Sequence, residues 1–312
     1  MAAEVETFLD YALEVGASDL ILAEGLVPAV RILSRVCAIP EAPALKFGDL
    51  EKLTGVLNGE SGSFRGGPWG GRLWCVRYSR EAFGKMAMFR PILGECPDFA
   101  AIGAPDAVSG LLRLDTGLVL FAGPADSGKT TTASSFVSGI CKKRICRARF
   151  LDPVPEYDIA PGESLVHYKR AKVSVEQEIA QGIAAGTDVF WLGDISQKTV
   201  LPMLRAAEAG SLVIGCMTAG NAVGVLDHLF AGQTPANDAL CRTLFASNLK
   251  AIISQKLIPA ADGKSLGCTW EILFNNQGVA SCIRSGEHFR IPSLIQAGAP
   301  EGMMSFMLSP GA

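Results

Sequence analysis

The stretch of residues 117–136, GLVLFAGPADSGKTTTASSF, constrains the fold of this chain more than any other. An apolar run stops at Gly123, four residues lead to Gly128-Lys129-Thr130, and helix-forming residues follow. The spacing G-x-x-x-x-G-K-[ST] between a strand and a helix is typical of a phosphate-binding loop. A coincidental Gly-Lys turn is the alternative, and the strand before it and the helix after it disfavour that reading. The stretch therefore predicts a nucleoside triphosphate site.

The chemistry of such a loop assigns roles to its residues. Backbone N–H groups of the loop and of the helix N-terminus point at a phosphate. Lys129 is expected to reach the β- and γ-phosphates, and the Thr130 hydroxyl is expected to ligate Mg²⁺. The predicted nucleotide-binding residues are Gly123, Ser127, Gly128, Lys129, Thr130 and Thr131.

Asp126 is the unusual residue of this loop, because it places a carboxylate where anions are received. Aspartate tolerates the left-handed backbone conformation better than most residues, so we expect the loop to keep its shape. Repulsion between the carboxylate and a polyphosphate costs on the order of 1 kcal/mol or more at a partly buried site. We therefore expect weaker nucleotide binding than an unmodified loop would give.

Composition bounds the class of protein. With 312 residues, 49% of them hydrophobic, the chain can form two domains, each with its own core. A net charge of −3 argues against nucleic acid as a partner. Nine scattered cysteines without a C-x-x-C pair indicate single buried thiols in a reducing compartment. The N-terminal residues lack a signal-peptide pattern and no apolar run approaches membrane-spanning length, so a cytoplasmic location is predicted.

The pattern of elements changes along the chain. Residues 1–95 are predicted to form a small α+β domain, and the proline-containing segment 96–105 is predicted to be a linker. Residues 106–312 alternate β-prone and helical stretches, which predicts an α/β domain with a mostly parallel sheet covered on both faces. The strands predicted for the whole chain are 20–23, 29–36, 74–78, 86–92, 119–121, 150–151, 189–192, 212–216 and 251–255. The predicted helices are 5–15, 49–57, 129–140, 174–184, 199–209 and 222–230.

Further short segments occur in an order that is informative as a series. They are GASDL (16–20), MFRPI (88–92), GPADSGKTTT (123–132), DPVPEY (152–157), DVFWLGD (188–194), AAEAG (206–210), ISQ (253–255), EIL (271–273) and IPSLIQ (291–296). Together they resemble the PilT-type ATPases that drive retraction of type IV pili, relatives of the type II secretion and pilus-assembly motors. The resemblance implies a PAS-like N-terminal domain, a RecA-like P-loop ATPase domain, a hexameric ring, and ATP with Mg²⁺ as cofactors.

The same resemblance implies catalytic roles for two carboxylates. Asp194 ends the run that is similar to the Walker B motif, so it is expected to hold Mg²⁺ together with Thr130. Glu156 is the expected water-positioning residue of the Asp-box segment, although Pro155 shifts it by one residue. Asp152 is the alternative for that role, with a turn-bracing role of similar weight.

Other family positions are altered in this chain. The two histidines of the family's His box correspond to Ser211 and Thr218, and an expected arginine corresponds to Ala184. The chain's own histidines, at 167, 228 and 288, are expected to be surface or packing residues rather than replacements.

Two functions follow, and they remain alternatives at this point. The first is an ATP-hydrolysing homo-hexameric motor for a type IV pilus or related secretion machine. The second is a catalytically weak nucleotide-binding subunit that regulates or scaffolds an active paralogous pilus ATPase. Either would act in the cytoplasm or peripherally at the inner membrane, through an inner-membrane platform protein. An unrelated P-loop kinase or GTPase is poorly supported, because no base-specificity motif is present.

Overall fold

The computed structural model describes residues 2–33, 35–50, 61–151, 157–159, 161–168, 173–232, 234–259 and 266–309. The chain divides into two units. Unit 1 comprises Met1–Gly94 with Pro153–Asp158, and unit 2 comprises Glu95–Asp152 with Ile159–Ala312. Residues 153–158 therefore belong to unit 1, although the residues before and after them in the sequence belong to unit 2.

The elements alternate as an α/β chain should, after an initial run of strands. The strands within the described ranges are β1 (Asp19–Ala23), β2 (Ala29–Ile32), β3 (Arg35–Ala38), β4 (Ser61–Trp69), β5 (Arg72–Glu81), β6 (Gly84–Pro91), β7 (Leu93–Glu95), β8 (Gly117–Gly123), β9 (Arg147–Phe150), β10 (Tyr157–Asp158), β11 (Leu165–Tyr168), β12 (Val189–Leu192), β13 (Leu212–Thr218), β14 (Leu249–Pro259) and β15 (Leu266–Phe274). The α-helices there are α1 (Ala2–Glu14), α2 (Asp106–Ser109), α3 (Lys129–Lys143), α4 (Val175–Ala184), α5 (Gln197–Glu208), α6 (Ala222–Phe230), α7 (Pro235–Asn248), α8 (Gln277–Ser285) and α9 (Ile291–Ala297).

Unit 1 contains an antiparallel sheet that packs against α1. Its six strands lie in the order β3-β2-β1-β6-β5-β4, and β7 pairs with β10 in a separate two-stranded sheet. Along β6, buried and half-buried residues alternate, as expected when one face of a sheet covers a core. Leu9 of α1 packs in that core with Leu20, Trp74 and Phe89, and all four side chains are fully buried.

The structure of unit 1 differs from the sequence prediction at two strands, and one predicted helix lies mostly outside the described residues. The single strand predicted over 29–36 is wrong, because the chain turns at Leu33, where φ is 46°, and returns as β3 with Ile32 opposite Arg35. Strand β4 lies in a glycine- and serine-rich stretch where no strand was predicted. Most of the helix predicted over 49–57 lies outside the described residues.

Unit 2 is built on one seven-stranded sheet, in the order β11-β9-β12-β13-β8-β14-β15. The first six strands are parallel and β15 is antiparallel to β14. Leu118 and Leu120 of β8 belong to one core cluster, whereas Val119 and Phe121 belong to a second. Because successive side chains point to opposite faces of a strand, both faces of this sheet are covered. The predicted α/β class with a mostly parallel sheet is confirmed.

The predicted linker contains a short helical turn. Within 96–105, a 3₁₀ turn at Phe99–Ile102 places the Phe99 ring 5.5 Å from that of Phe136 in α3. Among the helices in the described ranges, none is both long and apolar enough to cross a bilayer.

Candidate phosphate-binding site

The predicted phosphate loop lies at the carboxyl edge of the parallel strands. Strand β8 is buried along its whole length and ends at Gly123, and α3 begins at Lys129 with Gly128 as its N-cap residue. On one side β8 pairs with β13, so that Gly123 lies opposite Thr218, and on the other side it pairs with β14. Ligands of open α/β sheets bind outside this edge, where helix N-termini also point.

The two glycines that bracket the loop are needed for close packing. A Cβ atom on Gly123 would collide with Ser127 Oγ and would lie 2.5 Å from the Gln255 carbonyl oxygen. A Cβ atom on Gly128 would lie 2.7 Å from Gln255 Nε2, and the φ angle of Gly128 is +77°. Backbone and side chain of β14 therefore form the floor of the loop, and only glycine fits at either position.

Asp126 adopts the left-handed conformation that the sequence led us to expect. Its φ angle is 58°, and it is half-buried. Aspartate is among the few non-glycine residues that visit this region readily, so the loop retains its course. The residue therefore adds a carboxylate to a loop whose predicted ligand is an anion.

The remaining loop residues fit a phosphate ligand. Lys129 folds back so that Nζ donates a hydrogen bond of 3.1 Å to the Pro124 carbonyl oxygen. Ser127 Oγ is buried, and within the described part of the chain it has no hydrogen-bond partner. Thr130 and Thr131 are half-buried in the first turn of α3. The Lys129 ammonium group, a buried hydroxyl with no partner among the described residues, and a helix N-terminus form a suitable set of donors for a polyphosphate.

Asp194 lies at the same edge, two strands away. It follows β12 by two residues and is exposed, and the next residue is held by a 2.9 Å bond from Ile195 N to the Cys216 carbonyl oxygen in β13. Neighbouring strands are about 4.8 Å apart, so the ends of β12 and β8 are separated by roughly 10 Å. That spacing lets a metal ion lie between the two strand ends, held by side chains that extend towards it and by bridging water.

The three altered family positions, Thr218, Ser211 and Ala184, do not lie together in the structure. Thr218 is exposed beside Gly123 at the loop edge. Ser211 precedes β13 at the opposite edge, where it is buried and its hydroxyl donates a 2.8 Å hydrogen bond to the Thr187 carbonyl oxygen. Ala184 ends α4, the helix that leads into the start of β12, and is exposed. Of the three positions, only Thr218 is next to the phosphate loop of the same chain.

The Asp-box segment follows β9 in the sequence. Residues 152–156, and with them Asp152 and Glu156, lie outside the described residues. The residue before them, Leu151, donates a 2.7 Å backbone hydrogen bond to Trp191 at the carboxyl end of β12. The residue after them, Tyr157, begins β10.

The histidines lie away from the loop elements. His167 and His228 are exposed, whereas His288 is buried. Its Nε2 atom is 2.8 Å from Arg242 Nη1, and its Nδ1 atom is 2.8 Å from Asp227 Oδ1. Because arginine can only donate, Nε2 accepts and the Nδ1–H donates to the carboxylate, which is a packing arrangement.

Two polar residues near this edge, Gln255 and Glu271, were not predicted from the sequence to belong to the site. Gln255 was noted only as part of the ISQ segment, yet it forms the loop floor. Glu271 of β15 accepts a 2.7 Å hydrogen bond from Ala222 N, at the start of α6, and a longer one of 3.4 Å from Ser254 Oγ. Burial raises the pKa of the Glu271 carboxyl, although these two bonds act in the opposite direction. A polar residue inside an otherwise apolar strand is the signal that could have indicated either.

A glycine-bounded loop between a buried central strand and a helix, at the carboxyl edge of a parallel sheet, defines the class of P-loop α/β proteins. Within that class the match is specific: the family of type II/IV secretion system proteins matches residues 102–293, and the chain belongs to this family. The resemblance found from the ordered sequence segments is thereby confirmed.

Individual relatives extend the similarity beyond the P-loop region. The uncharacterized protein YggR of Escherichia coli (strain K12) is 28% identical over 226 residues, which cover 70% of this chain and 68% of YggR. The type IV pilus ATPase PilU of Pseudomonas aeruginosa is 25% identical over 329 residues, covering 97% of this chain and 83% of PilU. The crystal structure of the pilus retraction motor PilT with bound ADP superposes with a TM-score of 0.76 at 27% identity, covering 94% and 89% of the two chains.

Proposed function

We propose that this chain is an ATP-hydrolysing motor subunit of the PilT type, acting in type IV pilus retraction or in a related secretion machine. The observation that carries the proposal is the phosphate loop itself, which brings Lys129 and the buried Ser127 hydroxyl to a helix N-terminus; that hydroxyl has no hydrogen-bond partner among the described residues. Similarity to a pilus ATPase and to a pilus retraction motor with bound ADP, over nearly the whole chain, supports it.

The residues divide the work of phosphoryl transfer. Loop amides and the α3 N-terminus would receive the phosphates, and Lys129 would exchange its bond to Pro124 for one to the β/γ-phosphates. Thr130 and Asp194 would hold Mg²⁺, which when bound neutralises charge on the phosphates. Glu156 would orient the attacking water, with Asp152 as the alternative residue for that step.

Phosphate release by the purified chain tests the proposal. We expect Lys129→Ala and Asp194→Ala to lose nearly all Mg²⁺-dependent hydrolysis, a fall of at least ~10²-fold. Lys143→Ala is the matched control, because it removes the same charge from the exposed last turn of the same helix. Wild-type release at the background rate, with equal nucleotide affinity in Lys129→Ala, would contradict the proposal.

The water-positioning role has its own test. Glu156→Gln should abolish hydrolysis and leave ATP affinity unchanged, because the amide keeps the shape and loses the basic oxygen. Asp152→Asn is the comparison variant. Normal turnover in Glu156→Gln together with loss in Asp152→Asn would transfer the role to Asp152.

A regulatory subunit is the second candidate, and two observations favour it. Thr218 occupies the family's histidine position beside Gly123, and Asp126 places a carboxylate within the loop sequence. Such a chain would bind ATP without turning it over and would alter the hydrolysis rate of a paralogous pilus ATPase. Measurable ATP binding, no phosphate release, and a changed rate on mixing with the paralogue would select this candidate.

A further inference from the structure

Gln255 occupies an unusual position for a polar side chain. It lies in β14 directly after Ser254, which pairs with Ala122 of the phosphate-loop strand. Only 4% of the residue is exposed. Its main-chain oxygen faces Gly123, and its side-chain nitrogen faces Gly128, so that one residue touches both ends of the loop.

Two buried polar atoms of residues that adjoin the loop have no hydrogen-bond partner in the described part of the chain. They are Gln255 Oε1 and Ser127 Oγ. Ser127 is only 2% exposed. A buried polar atom without a partner costs free energy, and an apolar side chain of the same shape would avoid that cost. A carboxamide at this position is therefore better explained by the loop it supports than by stability.

Charge distinguishes the carboxamide from its close isostere. Glutamate has the same shape but would add a buried negative charge next to Gly128, close to the loop that is to receive phosphate. A neutral amide supports the loop without repelling the ligand. The position thus demands a polar, planar and uncharged side chain.

We propose that Gln255 is a positioning residue of the phosphate site, holding the Gly128–Lys129 peptide in the orientation that receives a nucleoside polyphosphate. It acts through the loop, and we assign it no contact with the ligand. This inference rests on the proposed function, since it concerns the same site.

The first test uses Gln255→Glu and the affinity for a fluorescent N-methylanthraniloyl derivative of ADP. We expect affinity at least ~10-fold weaker than wild type at about pH 8, where the carboxylate is charged. At about pH 5.5 most of the difference should disappear, because burial favours the neutral acid. Gln296→Glu is the matched control: it makes the same charge change at an exposed position on α9 and should follow the wild type at both pH values.

The second test uses Gln255→Met, which keeps the volume and removes the amide. We expect ~10-fold slower phosphate release, and a melting temperature equal to or above that of the wild type. A residue that merely fills space would show unchanged turnover, because methionine keeps the volume, and that result would overturn the positioning role.

The outcomes separate the inference from the function it rests on. Wild-type protein that binds no nucleotide would overturn both. Wild-type binding together with unchanged affinity in Gln255→Glu at both pH values would overturn the positioning role alone. Gln255→Glu that binds weakly at both pH values, with a lowered melting temperature, would assign the effect to misfolding and would also overturn it.

Discussion

Asp126 is the single residue that most alters the predicted behaviour of the loop. Its backbone adopts the left-handed conformation, and its carboxylate adds negative charge to the loop that is to bind phosphate. We expect Asp126→Gly to tighten ATP binding by ~5-fold, which corresponds to about 1 kcal/mol of relieved repulsion and backbone strain. Calorimetric titration with ATP measures the change.

Asp126→Asn separates the two contributions, because asparagine keeps the size and the left-handed tolerance but removes the charge. If both variants bind equally tightly, repulsion is the cause. If neither differs from the wild type, the carboxylate is already compensated within the folded protein.

At the residue scale, local spacing predicted the loop and not its surroundings. The spacing from Gly123 to Thr130 lies within eight residues, so the sequence displays it directly. Gln255 reaches the loop only because β14 pairs with β8, and that pairing joins segments about 130 residues apart. A single sequence carries no sign of such pairing beyond the apolar character of both strands.

At the scale of elements, the contact of α4 with β12 gives a prediction opposite to that of helix propensity. Gly182 lies in the last turn of α4, where alanine is normally preferred to glycine by up to about 1 kcal/mol. A Cβ atom there would lie 2.5 Å from two ring carbons of the fully buried Phe190. We expect Gly182→Ala to destabilise the fold by about 1–3 kcal/mol, measured by urea unfolding.

A double-mutant cycle identifies the cause. Phe190→Leu is destabilising alone, but it makes room at Gly182, so the two changes together should cost less than their sum by at least ~0.5 kcal/mol. Strict additivity would mean that the ring is not what excludes the methyl group.

The start of α6 gives a prediction for pH dependence. Glu271 accepts a hydrogen bond from the first residue of that helix, and burial raises the pKa of its carboxyl in the folded state. The folded chain therefore binds a proton that the unfolded chain releases more readily, so stability falls as pH rises through the folded-state pKa. We expect Glu271→Gln to melt higher than wild type at about pH 8, by about 2–4 °C for each 1 kcal/mol relieved.

That difference should shrink towards about pH 4, where both chains carry a neutral group at this position. Glu208→Gln is the control, because it removes a carboxylate at the exposed end of α5. A Glu271→Gln variant that melts lower at every pH would show that the carboxylate's interaction with the helix N-terminus outweighs its burial.

Elements with a strong period were predictable, whereas those defined by a partner were not. Strand β12 and helix α6 occupy the predicted ranges, because an apolar run and an amphipathic repeat mark them. Helix α7 was not predicted; its Phe245 ring packs edge to face against Phe230 of α6, with the ring centroids 5.6 Å apart, and local composition does not reveal this contact. The turn at Leu33 lacked any glycine or asparagine to signal it.

At the scale of the whole molecule, the proposed motor requires a ring. We expect light scattering in Mg²⁺ and ATP to give a mass near six times the 32.9 kDa of one chain. Lys129→Ala under the same conditions tests whether nucleotide drives assembly. A monomer at every concentration would contradict the ring and would favour a subunit that functions only beside another protein.

The sequence predicted an α+β domain over residues 1–95 and an α/β domain over residues 106–312. It did not predict that residues 153–158 belong to the first unit. An α+β pattern followed by an α/β pattern is visible from the sequence, because the hydrophobic period changes. The return of Tyr157 and Asp158 to unit 1 is not, since two residues carry no periodic signal.

The assignment of residues 153–158 to unit 1 limits where the chain can be truncated without separating paired strands. The chain passes from one unit to the other three times, near residues 94, 152 and 158. A fragment that begins at residue 96 would lack β7 and would leave β10, with its buried Tyr157, without a strand to pair with. A faithful isolated ATPase unit would therefore need a short bridge in place of residues 153–158, so the segment that carries the predicted catalytic Glu156 would be removed with it.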